Sequence, residues 1–283
     1  MNWIGELAIL DRSQELIHEV WQSFALDELL SEQAARDELI ICHLWCHPSA
    51  VILGQRDSRL PYVEQAIDEL EHQGYQTCIR HSGGAAVPLD KQVLNISLIF
   101  PVGKISESSY DDGFEKMYEL LTKVSSNMPY KIEKGEIEGA YCPGTYDLSV
   151  NGLKFCGIAQ RRKLKAYIVQ AFVNIDGDSV KRAELIKQFY TTAVKEQLEA
   201  DYPTIIPNKT ASLSQFGSMI IQTEHTLQEE PINEIQAFIA RLKATVQKMS
   251  IEEHAKHDLI ALPSEEQIET QINKLKQRYK LSG

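Results

Sequence analysis

The sequence predicts an α/β (α+β) protein, a strand-rich body followed by a mainly helical tail. Three observations carry that reading. Several stretches place apolar residues at helical spacing, the mark of an amphipathic helix. Between them, up to about residue 200, short apolar runs are separated by Gly and Pro turns, which reads as consecutive strands. After Asp201 the strand runs nearly cease and helical spacing takes over. The boundary divides residues 1–200, a strand-rich body, from residues 201–283, a mainly helical extension packed on the same domain.

In chain order, residues 1–12 read as an extended arm. Ile17, Val20, Trp21, Phe24, Ala25 and Leu29 recur at helical spacing, which predicts a helix from Glu15 to about Ala35. Leu39–His47 and Ser49–Gly54 read as two strands joined around Pro48. A helix follows over Leu60–His72, with Pro61 in its first turn and Gly74 past its end. Tyr75–His81, Ala85–Asp90 and Val93–Phe100 read as strands, the first two parted by a Ser82-Gly83-Gly84 turn. Tyr110–Val124 reads as a helix. Asn151-Gly152, flanked by alternating runs, is a strong hairpin signal, and Tyr167–Ile175 supplies the next strand. Asp178 or Ser179 caps a helix that runs to about Leu198. Tyr202-Pro203 and Ile206-Pro207-Asn208 mark a connection. A short strand near Met219–Thr223 and helices over Ile232–Met249 and Glu265–Tyr279 complete the chain.

Composition narrows the function classes. Hydrophobic residues make up 43% of 283 positions, enough for a sizeable core. The net charge of −11 argues against a dedicated nucleic-acid binder. The basic cluster Arg161, Arg162, Lys163 and Lys165 is either an exposed hairpin end or a contact for an acidic partner. Five cysteines without paired spacing fit free thiols in a reducing, cytoplasmic protein. Neither a signal peptide nor a membrane span is read: no run approaches the roughly 18 uncharged apolar residues a span needs.

Chemistry concentrates in Glu138–Arg162. Cys142 lies in a Cys-Pro-Gly turn, whereas Cys42, Cys46, Cys78 and Cys156 lie in apolar strand patterns, where cysteine behaves as a small core residue. Lys154, twelve residues after Cys142, is an unusual charge on a mostly apolar strand. Strict alternation puts Lys154, Cys156 and Ile158 on one face and Leu153, Phe155 and Gly157 on the other, so both thiols are candidate partners of the lysine. A cation beside a thiol raises its thiolate fraction. The Ser82-Gly83-Gly84 turn lets a ligand approach the backbone, and its N–H groups suit an anion or a carbonyl oxygen. It is neither a Walker loop nor a dinucleotide fingerprint. Cys42-His43 and Cys46-His47 resemble metal ligands in type only: strand residues four apart lie about 13 Å from each other. No metal and no cofactor is expected.

At these residues the chain resembles the lipoate/octanoate protein ligase and transferase superfamily, which shares a catalytic domain with biotin protein ligases. SFALDELL, LGQRDSRLP, IRHSGGAAVPLDKQVLNISLIFP and EIEGAYCPGTYDLSVNGLKFCGIAQRR carry the resemblance, over about residues 23–165. It is closest to the amidotransferase branch of Gram-positive bacteria. The resemblance implies a mixed, largely antiparallel sheet flanked by helices. It implies that Cys142 takes an acyl group as a thioester, that Lys154 activates it, and that Arg80, Ser82, Gly83, Gly84, Gly157, Ile158, Ala159 and Gln160 wall the acyl site. The implied donor is the glycine-cleavage H protein and the implied acceptors are E2 lipoyl domains of 2-oxoacid dehydrogenases. The ATP-dependent ligases of the superfamily show a third glycine and a His-Asp pair after Ser-Gly-Gly. Here Ala85 and Leu89-Asp90 stand there, which weakens a ligase reading. A transferase drawing on acyl carrier protein is the nearer alternative. The pairing carries a geometric expectation: the Cys142 turn folds back until its sulfur reaches the Lys154 amine.

Overall fold

A computed structural model describes residues 6–17, 19–102, 110–196, 200–219, 233–249 and 260–279. Two sheets organise it. The larger is seven-stranded, in the order β1 (Leu7–Arg12), β2 (Ile40–Trp45), β6 (Val93–Pro101), β10 (Ala166–Asn174), β9 (Leu153–Arg162), β8 (Leu148–Val150) and β7 (Glu133–Lys134). Only β1 and β2 run parallel in it. The smaller has β3 (Ser49–Leu53) between β4 (Gln76–Ile79), parallel to it, and β5 (Val87–Asp90), antiparallel. The expected mixed, largely antiparallel sheet with flanking helices is therefore present.

Helices cover the sheets because each offers an apolar stripe to them. On one face of the large sheet, α3 (Tyr110–Val124) and α5 (Glu234–Met249) bury Met117, Leu120, Phe238 and Leu242 against Leu44, Ile96 and Val169. On the other, α1 (Trp21–Asp37) buries Leu26, Leu30 and Ala34 against Ile41, Ile99 and Ile168. The small sheet carries α2 (Val63–His72) and α4 (Ser179–Val194), with Ala66, Leu70, Ile186 and Tyr190 in a core that reaches Cys142. The last described helix, α6 (Glu265–Arg278), lies on α1. It opens with a capping box in which Ser264 and Gln267 satisfy each other's backbone N–H groups.

Several boundaries moved. Of the expected arm, Leu7–Arg12 form an edge strand, β1, and residues 1–5 lie outside the described residues. The first helix starts at Trp21 rather than Glu15, because Ser13 turns the chain by donating its N–H to Asp11 Oδ1 at 3.0 Å. Asp178, not Ser179, is the cap of α4, accepting the Lys181 N–H. Met219 is not in a strand, and residues 220–223 of the short strand expected there lie outside the described residues.

One irregularity matters for function. The β8–β9 register shifts between Leu148 and Ser149, which pair with Cys156 and Lys154, so Phe155 is an extra residue in β9. Strict alternation fails there. Phe155 and Cys156 both join the core beneath α3 and α5. Lys154 turns the other way, its Nζ 5.6 Å from the Phe172 ring centroid and 3.4 Å from where a Gly157 Cβ would stand. The expected sharing of a face by Lys154 and Cys156 is corrected: the bulge parts them.

Candidate active site

Cys142 adopts a left-handed backbone, φ +50°, just after Gly139 at φ +85°. Such a conformation is unusual for a residue with a side chain and must be held by its surroundings. Lys154 holds it. The ammonium is fully buried and donates to the carbonyls of Tyr141 (3.0 Å) and Cys142 (2.5 Å). Its third partner is Asp147 Oδ1 at 2.8 Å. An ammonium has three N–H donors, and these three acceptors use all of them. The second oxygen of Asp147 accepts the Gly144 N–H at 3.2 Å, so one carboxylate secures both the lysine and the turn. Burial raises the Asp147 pKa from its ordinary value to about 6, against the attraction of Lys154. From the far side, Thr210 bridges to Lys154 and the Ala211 N–H donates to the Lys154 carbonyl at 2.8 Å.

The sulfur faces a different cation. Arg80 Nη2 and the Ala85 N–H each donate to Cys142 Sγ at 3.3 Å. Arg80 also organises the turn that follows it, donating from Nε to the Gly83 carbonyl (2.9 Å) and from Nη2 to the Ala85 carbonyl (2.5 Å). Gly84, at φ +101°, lies so close that a Cβ would collide with Nη2 and stand 2.8 Å from the sulfur. Next along, the Ala86 N–H donates to the Tyr190 hydroxyl (3.0 Å), which in turn donates to Asp57 Oδ1 (2.8 Å). The turn is thus pinned from both ends.

Beside the sulfur opens a cavity of about 320 Å³, within the size range of small-ligand sites. Phe24, Trp45, Leu89, Phe114 and Phe172 give it apolar walls. Two of the expected groups of residues meet there: Arg80, Ser82, Gly83 and Gly84 on one side, and Gly157, Ile158, Ala159 and Gln160 on the other. Gly157 keeps the wall thin, since a Cβ would stand 2.5 Å from the Phe172 ring. Lys154 is not a wall residue; it sits behind the Cys142 turn. Ser82 Oγ and both amide atoms of Gln160 are buried without a hydrogen-bond partner among the described residues, and Arg80, Asn95, Asp111 and Gln170 add further polar groups to the lining.

The geometry gives each charge a contact that the sequence did not show. The amine of Lys154 reaches the Cys142 carbonyl, and Arg80 supplies the cation bonded to the sulfur. Sequence reasoning named Arg80 only as a wall and missed Asp147 and the Ala85 N–H. Asp147 had a local signal, since it precedes β8 just ahead of Ser149, the cross-strand partner of Lys154. Contact of Arg80 with a sulfur 62 positions away had none. The other four thiols are buried in cores, and burial pushes all of them up, Cys42 and Cys46 to about 12. Among the described residues no group of three or more His, Cys, Asp or Glu could hold a metal ion, and no helix is long and apolar enough to cross a membrane.

Comparison with known proteins places the chain in a family. The family profile "Lipoyl protein ligase A/B catalytic domain" matches residues 19–255. An octanoyl-[GcvH]:protein N-octanoyltransferase of Geobacillus kaustophilus is 42% identical over 197 residues, 69% of each chain. Its counterpart in Anoxybacillus flavithermus is 40% identical over 224 residues, 78% of this chain and 80% of that one. A lipoyl-[GcvH]:protein N-lipoyltransferase of Listeria monocytogenes is 41% identical over 208 residues, covering 73% and 74%. Among solved structures, lipoate-protein ligase A bound with ATP superposes with a TM-score of 0.63 at 16% identity, over 98% of this chain and 96% of that one. A bipartite lipoate protein ligase with its E2 lipoyl domain from Thermoplasma acidophilum gives 0.60 at 16%, over 98% and 94%. At that identity the structures speak for the fold alone. On the profile match and the close relatives, the chain belongs to the lipoyl protein ligase A/B catalytic domain family.

Proposed function

We propose that this protein is an amidotransferase that moves an octanoyl or lipoyl group from a lysine of the glycine-cleavage H protein to a lysine of E2 lipoyl domains, through a thioester on Cys142. The observation that carries the chemistry is the Cys142 thiol, bonded by two N–H donors at 3.3 Å and opening on an apolar cavity. The donor is taken from the names of relatives at about 40% identity. Exchange of one amide for another is near thermoneutral and needs no ATP.

The Arg80 guanidinium and the Ala85 N–H both donate to the sulfur and hold it beside the cavity for attack. The thiolate attacks the acyl carbonyl, and the new oxyanion takes N–H donors of the Ser82–Ala85 turn. Collapse breaks the C–N bond, and the departing lysine amine must take a proton as it leaves. Lys154 supplies it by exchanging one of its three hydrogen bonds for the amine. The neutral Lys154, next to Asp147, later accepts a proton from the acceptor lysine as that amine attacks the thioester and the thiolate leaves. Bonds and protons balance over the cycle. Burying the acyl tail contributes about 0.8 kcal/mol per methylene, so the apolar walls supply much of the donor affinity.

The test is intact mass after incubation with octanoylated H protein and no acceptor. One octanoyl group on wild type, none on Cys142→Ala, and discharge on adding an apo lipoyl domain support the reading. Acylation from octanoylated acyl carrier protein but not from H protein would reassign the donor. ATP-dependent transfer that survives Cys142→Ala would overturn the thioester.

A further inference from the structure

Behind the Arg80–Ala85 turn, four parts of the chain meet at one point. His81 follows Arg80 directly, and its imidazole is buried, with Nε2 2.8 Å from Glu28 Oε1 on α1. Phe24 meets that ring edge to face at 6.2 Å. Tyr279, just past α6, stacks on it with centroids 5.9 Å apart and planes at 26°. Arg161, on the cavity strand β9, closes the group. Its Nε lies 2.8 Å from Glu28 Oε1, and its Nη1 donates to the His81 carbonyl (3.5 Å) and the Tyr279 hydroxyl (3.3 Å). Burial alone would raise the Glu28 pKa. The His81 hydrogen bond and the charges of His81, Lys163 and Arg161 overcome it and hold the group at about 2, so the anion persists at working pH.

α6 packs along α1. It buries only Ile272 and Leu275 among its side chains, and Lys276 pairs with Glu19 near the start of α1. Its contact with the site is concentrated in one ring. That ring covers His81, the neighbour of the arginine whose Nη2 reaches the nucleophile.

We propose that Tyr279 is a positioning residue, and that α6 is a strut whose last aromatic ring fixes His81 and thereby the Arg80–Ala85 turn against the Cys142 sulfur. The two donors sit at 3.3 Å, where a small displacement lengthens both contacts together. Without the stack, the His81 side chain gains freedom to turn, and the backbone that carries Arg80 and Ala85 moves with it. The helical extension then has a defined part in the reaction: it completes the support of the turn from outside the body that carries the thiol. The proposal rests on Cys142 as the acyl-accepting thiol.

The experiment uses the full chain with Tyr279→Phe, which keeps the stack and loses the hydroxyl, and Tyr279→Ala and Tyr279→Leu, which lose the stack. Iodoacetamide alkylation of Cys142 is followed at one fixed pH, alongside thioester formation from octanoylated H protein and thermal unfolding. In the Ala and Leu variants we expect thioester formation about tenfold slower, as for a small misplacement of catalytic groups. The loss falls in kcat, with the donor KM changed less than about twofold, and alkylation of the misplaced sulfur changes rate with it. Tyr279→Phe should match wild type. Wild-type alkylation and acylation in both Ala and Leu variants would overturn the proposal. So would equal impairment of all three variants tracking only a fall in unfolding temperature. Failure of the thioester reading shows separately, as transfer surviving in Cys142→Ala, because alkylation reports the sulfur's surroundings whatever the protein transfers.

Discussion

Cys142 and Cys156 stand on either side of Lys154, twelve residues before it and two after. The fold treats them in opposite ways. Cys142 occupies a strained turn, borders a cavity and receives two N–H donors. Cys156 is wholly buried beneath α3 and α5, where loss of hydration raises its pKa despite the pull of Lys154. On the proposed mechanism, proximity to a lysine therefore does not by itself make a nucleophile. Donors placed on the sulfur and access to substrate do. Besides the proton transfers proposed for it, the lysine holds two carbonyls of the turn that presents the thiol.

The largest contrast is expected from removing each thiol in turn. Cys142→Ala should reduce octanoyl transfer below detection, while Cys156→Ala keeps turnover within about twofold and loses about 1 kcal/mol of stability. Radiolabelled or mass-detected transfer between the two carrier proteins reads both. Inactive Cys156→Ala with an intact fold would erase the contrast.

Lys154→Ala comes next. It strands the buried Asp147 carboxylate and two carbonyls. Breaking a buried pair from one side costs about 3–5 kcal/mol, and turnover should fall with it. Adding Asp147→Asn should recover part of the stability but not the turnover. Denaturant titration of the single and double variants measures the coupling.

Gly84→Ala probes the sulfur from the other side. Its Cβ would stand 2.8 Å from Sγ on a left-handed backbone. Cys142 alkylation and acylation should both slow about 100-fold, since small displacements at a reacting centre are expensive. Wild-type alkylation in a folded variant would show that the turn yields.

The smallest effect is in pH dependence. Asp147, at about 6, lies above its unfolded value, so its neutral form favours folding. That contribution is complete below about pH 4 and is lost as pH rises through about 6. Activity runs the opposite way, because the carboxylate that pairs with Lys154 forms over the same rise. Turnover should decline on acidification through about pH 6, and Asp147→Asn should flatten that limb. An unchanged inflection in the variant would assign it to another group.

Local signals account for what the sequence made legible. Pro143-Gly144 put Cys142 on a turn, Asn151-Gly152 set the hairpin, and the charge of Lys154 stood out in an apolar strand. The apolar runs also foretold most strands and helices to within a few residues. What stayed hidden depends on partners far along the chain or on register. The Phe155 bulge has no compositional mark, yet it moves Lys154 to the Gly157 side. Arg80 reaches Cys142 across 62 positions. The first twelve residues looked like an arm because pairing with β2 is a property of β2 as much as of the arm.

The burial of the four other cysteines has a practical consequence. In its native state the protein should react with a thiol reagent first at Cys142, since among the five sulfurs only that one borders the cavity. A dye or mass tag added without mutagenesis should settle at the site itself, and each acyl group already there should block one tag. Unlabelled fraction then becomes a direct count of occupied sites.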